Sequence, residues 1–284
     1  MTNDTTLRSR AMLGTLNISV WNPKKTDRKV TLETLIQHGA SQDAGAFVKN
    51  LLPDGAIDGV KKIESKLRAL FYRRSLPWRD DGIRILPAAV WFEFSAEMRG
   101  LREEFDQAVG QFLIDYDAHR AKAKIALNGM FNDNDYPAVE LVRQKFAVRL
   151  SVFPLPDSED FRVDLPDDVR AAIGQEIDDS VKDSVVLANA DLRSRLGKAL
   201  ASVVDRLSNS ENIFRDTLIT NLRSLCSDIP KLNISGDEGL LKLTAEAEKI
   251  AHLEPDQIRA DDTVRVTAHK TAGDILAAMG ITSK

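Results

Sequence analysis

Cysteine is nearly missing from this chain: Cys226 is the single one in 284 residues. One thiol forms no internal disulfide, and no cysteine-based zinc cage can be built from one copy. Cys226 stands in a helical apolar pattern with no activating neighbour in sequence, so it reads as a small buried hydrophobe. No apolar run approaches the roughly 20 residues that cross a bilayer, which argues against a membrane protein. The first dozen residues carry Asp4, Arg8 and Arg10 among Thr, Asn and Ser, with no apolar core of a signal peptide, and the expected setting is the cytoplasm. Nucleotide and hydrolase signatures are also missing: no Gly-x-Gly-x-x-Gly, P-loop, Gly-x-Ser-x-Gly or His-Glu-x-x-His occurs. His38, His119, His252 and His269 are scattered, and none has another histidine at metal-ligand spacing. The acidic pairs Glu103-Glu104, Asp178-Asp179 and Asp261-Asp262 are adjacent, so on a helix they diverge by about 100° and form no carboxylate dyad. Asn132, Asp133 and Asp135 lack the Gly and distal Glu of a calcium loop, and a helix-ending turn accounts for them. An active site would need distant residues such as Arg84, Trp91 and Asp135, for which no spacing argues. No enzyme activity, cofactor or metal is expected.

What is present is ordinary material for a folded core, 43% hydrophobic and 29% charged. The net charge of −4 is unevenly spread. Residues 1–84 hold 15 Lys/Arg against 9 Asp/Glu, whereas the rest is acidic. Such asymmetry marks either a nucleic-acid face or two parts that attract each other, and the second is favoured.

Leu16 to Val20 alternates as a half-buried strand, ended by Asn22-Pro23. A short helix is predicted from Asp27 to His38, burying Val30, Leu32, Leu35 and Ile36, with Gly39 as its stop. A second is predicted over 59–72. From Pro87 apolar or small residues recur at Phe94, Met98, Leu101, Phe105, Val109, Phe112, Tyr116, His119, Ala123, Ala126 and Met130. Steps of three and four make this a coiled-coil seam on one helix of about 40 residues, loosened where two steps of four adjoin at Leu101-Phe105-Val109. A stripe that long needs a partner. Val169, Ile173, Ile177, Val181, Val185, Leu192, Leu196, Leu200, Val203 and Leu207 supply one at the same periodicity. Between them, 146–153 and 160–165 alternate as strands, and shorter helices follow near 211–228, 237–251, 255–268 and 270–279.

The expected fold is therefore mainly α with a small antiparallel β-sheet, an α+β chain with a long antiparallel two-helix coiled-coil stem plus shorter helices. Residues 1–12 read as a disordered leader. Residues 13–284 read as a single elongated domain: a basic strand and helix region (13–86), the helical hairpin (87–208) and C-terminal helices (211–284). The seam from Phe94 through Met98, Leu101, Phe105, Val109, Phe112 and Tyr116 is the expected interaction surface, and a homo-oligomer the expected state.

One segment has the chemistry of nucleic-acid contact. Lys61, Lys62, Lys66, Arg68, Arg73, Arg74 and Arg79 interleave with Phe71, Tyr72 and Trp78, which pairs phosphate-binding cations with base-stacking rings. The alternative for such a basic amphipathic helix is that its aromatics pack inward and its cations pair with acidic neighbours.

The run Leu16-Asn-Ile-Ser-Val-Trp21 with Lys24-Lys25-x-Asp27, then Ser75-Leu-Pro-Trp78, Arg84-Ile-Leu-Pro87, Asp135-Tyr-Pro137 and Asp160-Phe-Arg-Val163, resembles a family of uncharacterised phage and prophage proteins. These are often encoded beside MoxR-type ATPases and von Willebrand A-domain proteins. The resemblance spans most of residues 13–280 and implies a phage setting with an AAA-type ATPase as partner. That family has no established active site, so it assigns no functional residue here.

Overall fold

The computed structural model describes residues 4–79, 82–159, 163, 165–209 and 215–281. In chain order the elements are α1 (Asp4–Arg10), β1 (Ala11–Ser19), β2 (Lys24–Thr26), α2 (Arg28–Gln37), β3 (Val48–Asn50), α3 (Asp58–Arg73), β4 (Leu76–Pro77) and β5 (Arg84–Pro87). Then follow α4 (Trp91–Ile114), α5 (Tyr116–Leu127), α6 (Val139–Arg143), β6 (Ala147–Pro154), α7 (Asp167–Leu207), α8 (Thr217–Leu232), α9 (Glu238–Ala251), α10 (Pro255–Ala260) and α11 (Asp262–Ala278). The fold is mainly α with a small antiparallel sheet. A four-stranded sheet has the order β4-β5-β1-β6, and β2 and β3 form a separate pair.

Residues 13–284, expected as a single domain, pack as two compact units, each discontinuous in sequence. One unit takes residues 1–15, 72–94 and 151–284; the other takes 16–71 and 95–150. No Gly- or Ser-rich linker announces the division, because the chain passes between the units inside β1, α3, α4 and β6.

The first unit is built on α7. Pro166 fixes the entry, Asp167 and Asp168 place negative charge on the first turn, and the helix runs 41 residues, about 60 Å at 1.5 Å per residue. Its stripe from Val181 through Ala188, Leu192, Leu196, Leu200 and Val203 to Leu207 is buried. The helices packed on it are α8, α9 and α11. Gly197 lets one of these contacts close, since a Cβ there would stand 2.7 Å from Ile281 Cδ1. β1 pairs antiparallel with β5, Ala11 opposite Pro87 and Gly14 opposite Arg84. A Cβ on Gly14 would meet Leu86 Cδ1 at 2.5 Å, so a larger residue there would have to displace that side chain. The expected disordered leader is a correction: among its described residues α1 is helical, and Leu7 and Ala11 are buried in the core with Leu13, Trp78 and the α7 stripe. A polar leader tolerates this because, among residues 7–12, Leu7 and Ala11 turn inward while Ser9 and Arg10 stay exposed.

The second unit holds the other stripe, and here the expected pairing is corrected. From Met98 onward the seam lies in this unit, whereas α7 belongs to the first. Met98, Phe105, Val109, Phe112, Tyr116 and Ala123 are buried, Leu101 half-buried and Ala126 exposed. Phe112 and Tyr116 are covered by aromatics of their own unit. Trp21 lies 6.3 Å from Phe112 and 5.9 Å from Tyr116, and Phe146 lies 5.6 Å from Phe112 between ring centroids. Rings this size cover this end of the stripe. The expected continuous helix also bends at Asp115, where ψ is −2°. Bonds from Asp115 N to Gln111 O and from His119 N to Asp115 O carry the ladder through, so α5 continues α4 with a kink. It ends at Leu127, since Asn128 takes φ +43°.

Local signals elsewhere hold. Asp27 Oδ1 caps α2 by accepting from Lys29 N and Val30 N at 3.2 Å, and Gly39 ends it at φ +60°. The predicted buried side of α2 is a correction: Leu32 and Ile36 are exposed, and Val30 and Leu35 only half-buried. The helices predicted at 255–268 and 270–279 divide instead at Asp261, whose carboxylate caps α11 through Thr263 N and Val264 N. The strand predicted at 160–165 falls mostly outside the described residues.

Candidate functional site

Three features of the described residues carry chemistry. The first is a cleft of about 530 Å³ in the first unit, lined by Tyr72 and Arg73 from the end of α3, Arg84 of β5, Asp191 and Arg195 of α7, and residues Asn221 to Asp228 of α8. Its floor is organised by Ser75, fully buried just before β4. Arg84 donates through Nε to Ser75 Oγ at 2.7 Å and through Nη2 to Ser75 O at 3.0 Å. Arg195 Nη2 donates to the same carbonyl at 2.7 Å, and its Nη1 to Arg73 O at 2.9 Å. Asp191, one helical turn before Arg195, holds it at 2.6 Å. Arg84 also lies over the Tyr72 ring, 4.6 Å from its centroid. Burial, and then the neighbouring Arg195 charge, push the Arg84 guanidinium below its ordinary value. Arg84 and Arg195 thus stand side by side in a concave wall that Asp191 and Asp228 share.

The second feature is an alternating ion chain in the other unit. Lys49 of β3, 6% exposed, donates to Asp27 Oδ2 at 2.9 Å and to Met130 O at 2.8 Å, and stands 2.8 Å from Asp135 Oδ2. Lys25 of β2 reaches Asp135 Oδ1 at 2.6 Å. Burial works against the Asp135 charge, yet the bonds from Lys25 and Lys49 outweigh it and hold the carboxyl below the usual range. The bond from Lys49 likewise lowers Asp27. Lys49 uses its three N–H donors on protein acceptors, which makes it an anchor rather than a nucleophile. It also explains the Asn132–Tyr136 loop: the Asp135 carboxylate is occupied by ammonium groups, and Asn132 Oδ1 caps its own turn by accepting from Asn134 N at 3.0 Å. No group of three or more His, Cys, Asp or Glu able to hold a metal occurs among the described residues.

The third feature is the outer side of the helix that runs from the end of α4 through the Asp115 kink into α5. With Phe112, Tyr116 and Ala123 turned inward, Ile114, Ala118, Ala121 and Ile125 fall on the opposite side, all exposed. Ile114 is 77% and Ile125 82% accessible.

The structure divides the basic segment. Lys61 to Phe71 belong to the second unit and Tyr72 to Arg79 to the first. Phe71 and Trp78, both 3% exposed, are core residues and offer no ring for stacking. Lys66 pairs with Glu104 at 2.9 Å, Arg68 with Glu64 at 2.8 Å, and Arg74 with Asp228 at 2.5 Å and Glu93 at 3.3 Å. Arg79 is hydrogen-bonded to Ser180. Lys61 and Lys62 are exposed, and Tyr72 and Arg73 line the cleft. Sequence reasoning missed Arg195, Asp191 and the α8 residues as cleft members; the Asp-x-x-x-Arg spacing was the available signal. It also missed the outer side of α5, whose isoleucines lie outside the seam that dominates the periodicity.

No family model, curated protein or solved structure matches the chain. No helix among the described residues is long and apolar enough to cross a membrane.

Proposed function

We propose that this protein is a non-enzymatic assembly or adaptor module of the phage type, which acts by presenting a helical face to a second protein chain. The supporting observation is the uncovered line Ile114, Ala118, Ala121, Ile125 on a helix whose other side is sealed in the core. Two isoleucines left this accessible on one helix side, with only alanine between them, form a partner-binding strip rather than scattered surface apolar residues. The partner is another copy or, following the family resemblance, an AAA-type ATPase. Light scattering coupled to size exclusion tests the first: a mass above 31.5 kDa is expected at high micromolar concentration, lowered to that value by Ile114→Glu with Ile125→Glu. A monomeric wild type removes self-association. Co-expression with an AAA-type ATPase of the MoxR class then decides the remaining branch, binding being expected for wild type and lost in the double variant.

A second reading rests on the cleft, where Arg73, Arg84 and Arg195 outnumber Asp191 and Asp228 and stand with the half-exposed Tyr72 ring. This is a site for an anionic group, and a nucleic-acid strand is the ligand that would use both the cations and the ring. A salt-dependent mobility shift tests it. Binding at low salt that weakens in the Arg73→Glu variant supports it; no shift with single- or double-stranded DNA removes it.

A further inference from the structure

The charges flanking the exposed line on α5 are ordered by sign along the helix. Ile114, the last residue of α4, and Ala118, Ala121 and Ile125 of α5 are separated by four, three and four residues, the spacing of the a and d positions of a two-stranded coil, and the bonds at Asp115 N and His119 N carry the helix across the kink between them. On that register Asp115 and Lys122 occupy e positions, and Asp117 and Lys124 occupy g positions. Tyr116 and Ala123, both buried, fall at f, opposite the line, so the register agrees with the observed burial. Acid flanks the first half of the line and base the second.

We infer that α5 pairs with α5 of a second copy in antiparallel orientation, about a two-fold axis between His119 and Arg120. This rests on the assembly reading above and specifies its partner. In that arrangement Ile114 covers the partner's Ile125, and Ala118 faces the partner's Ala121, small enough to let the helices approach. Antiparallel coils match e with e and g with g. Asp115 then meets the partner's Lys122, and Asp117 the partner's Lys124; symmetry doubles both, for four opposite-charge contacts. A parallel pair matches only Asp117 with the partner's Lys122, because Gly110 and Gly129 stand at the other flanking positions. The antiparallel pair also sets each helix's positive end beside the other's negative end.

The surrounding contacts leave these charges available. Asp115 accepts from Gln111 Nε2 at 2.9 Å, which uses one carboxylate oxygen, and Lys124 Nζ rests 5.6 Å from the Phe131 ring centroid at the surface. Arg120 is paired with Asp133 at 2.9 Å and His119 is stacked on Phe112, both away from the line. Twelve residues of α5 span about 18 Å, so the contact buries less than the roughly 1,200 Å² of a standard stable interface. The pair is a reversible one, with a dissociation constant on the order of micromolar or weaker.

Disulfide mapping tests orientation. Cys226 is buried, and Cys226→Ser provides a clean background. An equimolar mixture of Ile114→Cys and Ile125→Cys chains is expected to give a mixed disulfide under mild oxidation, at least tenfold faster than either chain alone. Rapid crosslinking of Ile114→Cys alone overturns the antiparallel assignment in favour of parallel pairing. A charge test checks the flanks: Asp115→Lys with Asp117→Lys weakens self-association at least tenfold, and adding Lys122→Asp with Lys124→Asp restores it. If neither cysteine crosslinks while wild type still dimerises, this interface is wrong but the assembly reading stands. If wild type stays monomeric at high micromolar concentration, the self-association branch of that reading falls as well.

Discussion

The two longest apolar stripes of the chain meet different fates. That of α7 is closed over by α8, α9 and α11, three helices that follow it in sequence. That of α4 and α5 is closed by single aromatic rings, Trp21 and Phe146, together with the core of its own unit. Covering by helices leaves α7 as an internal spine. Covering by rings occupies only one side of α5, and its opposite side stays bare. Equal periodicity therefore produced a structural element in one unit and an element with a surface to offer in the other.

The sharpest way to break this contrast is to empty each region in turn. Lys49→Met takes the shared cation from Asp27 and leaves Asp135 with Lys25 alone, and a lowered midpoint is expected in urea unfolding. Leu196→Ala on α7, fully buried, is expected to cost about 2–5 kcal/mol, whereas Ile125→Ala on the bare side of α5 should stay within about 0.5 kcal/mol. Equal losses at Leu196 and Ile125 would mean that the α5 line is covered within the monomer after all.

Acid sharpens the comparison further. Asp27 and Asp135 have folded pKa values below their unfolded ones, so the stability they bring is present above the unfolded carboxylate pKa and is lost as pH falls through the lowered values. The urea midpoint should drop on going from about pH 5 to about pH 3. The drop should be shallower in Asp27→Asn, which keeps the cap of α2 but removes one of the two carboxylates. A slope unchanged by that substitution would remove Asp27 from the acid response. The smallest effect concerns Cys226. Burial pushes its thiol up to about 12, so thiol reagents at about pH 8 should label it only at the rate of unfolding, and rapid native labelling would contradict its place in the α8 core.

Much of this was legible residue by residue. The Asp27 cap, the Gly39 stop, the start of α7 after Pro166 and the strand near 147–154 follow from short-range rules that depend on the chain alone. The apolar line of α7 was readable from Val181 to Leu207, whereas Val169, predicted to extend it, is exposed and Ile173 and Ile177 are only half-buried; periodicity reports which side of a helix can be buried. It does not report by what. The assignment of one long stripe to the other failed there, since aromatic side chains distant in sequence compete for the same surface. α2 shows the reverse limit: Leu32 and Ile36 have the spacing of a buried side and no cover in the fold. The cleft was half legible. Tyr72 and Arg73 stood out by composition, whereas Arg195 joins Ser75 across 120 residues, a closure that no local pattern encodes.

The four passages of the chain between units bear on how the protein is made. The strand that opens the sheet leaves the ribosome early, yet the spine it packs with begins roughly 150 residues later. The first unit therefore cannot close until α7 and the helices that cover it have been made, and no single proteolytic cut can release either unit as a contiguous fragment. Loop closures this long make its folding slow.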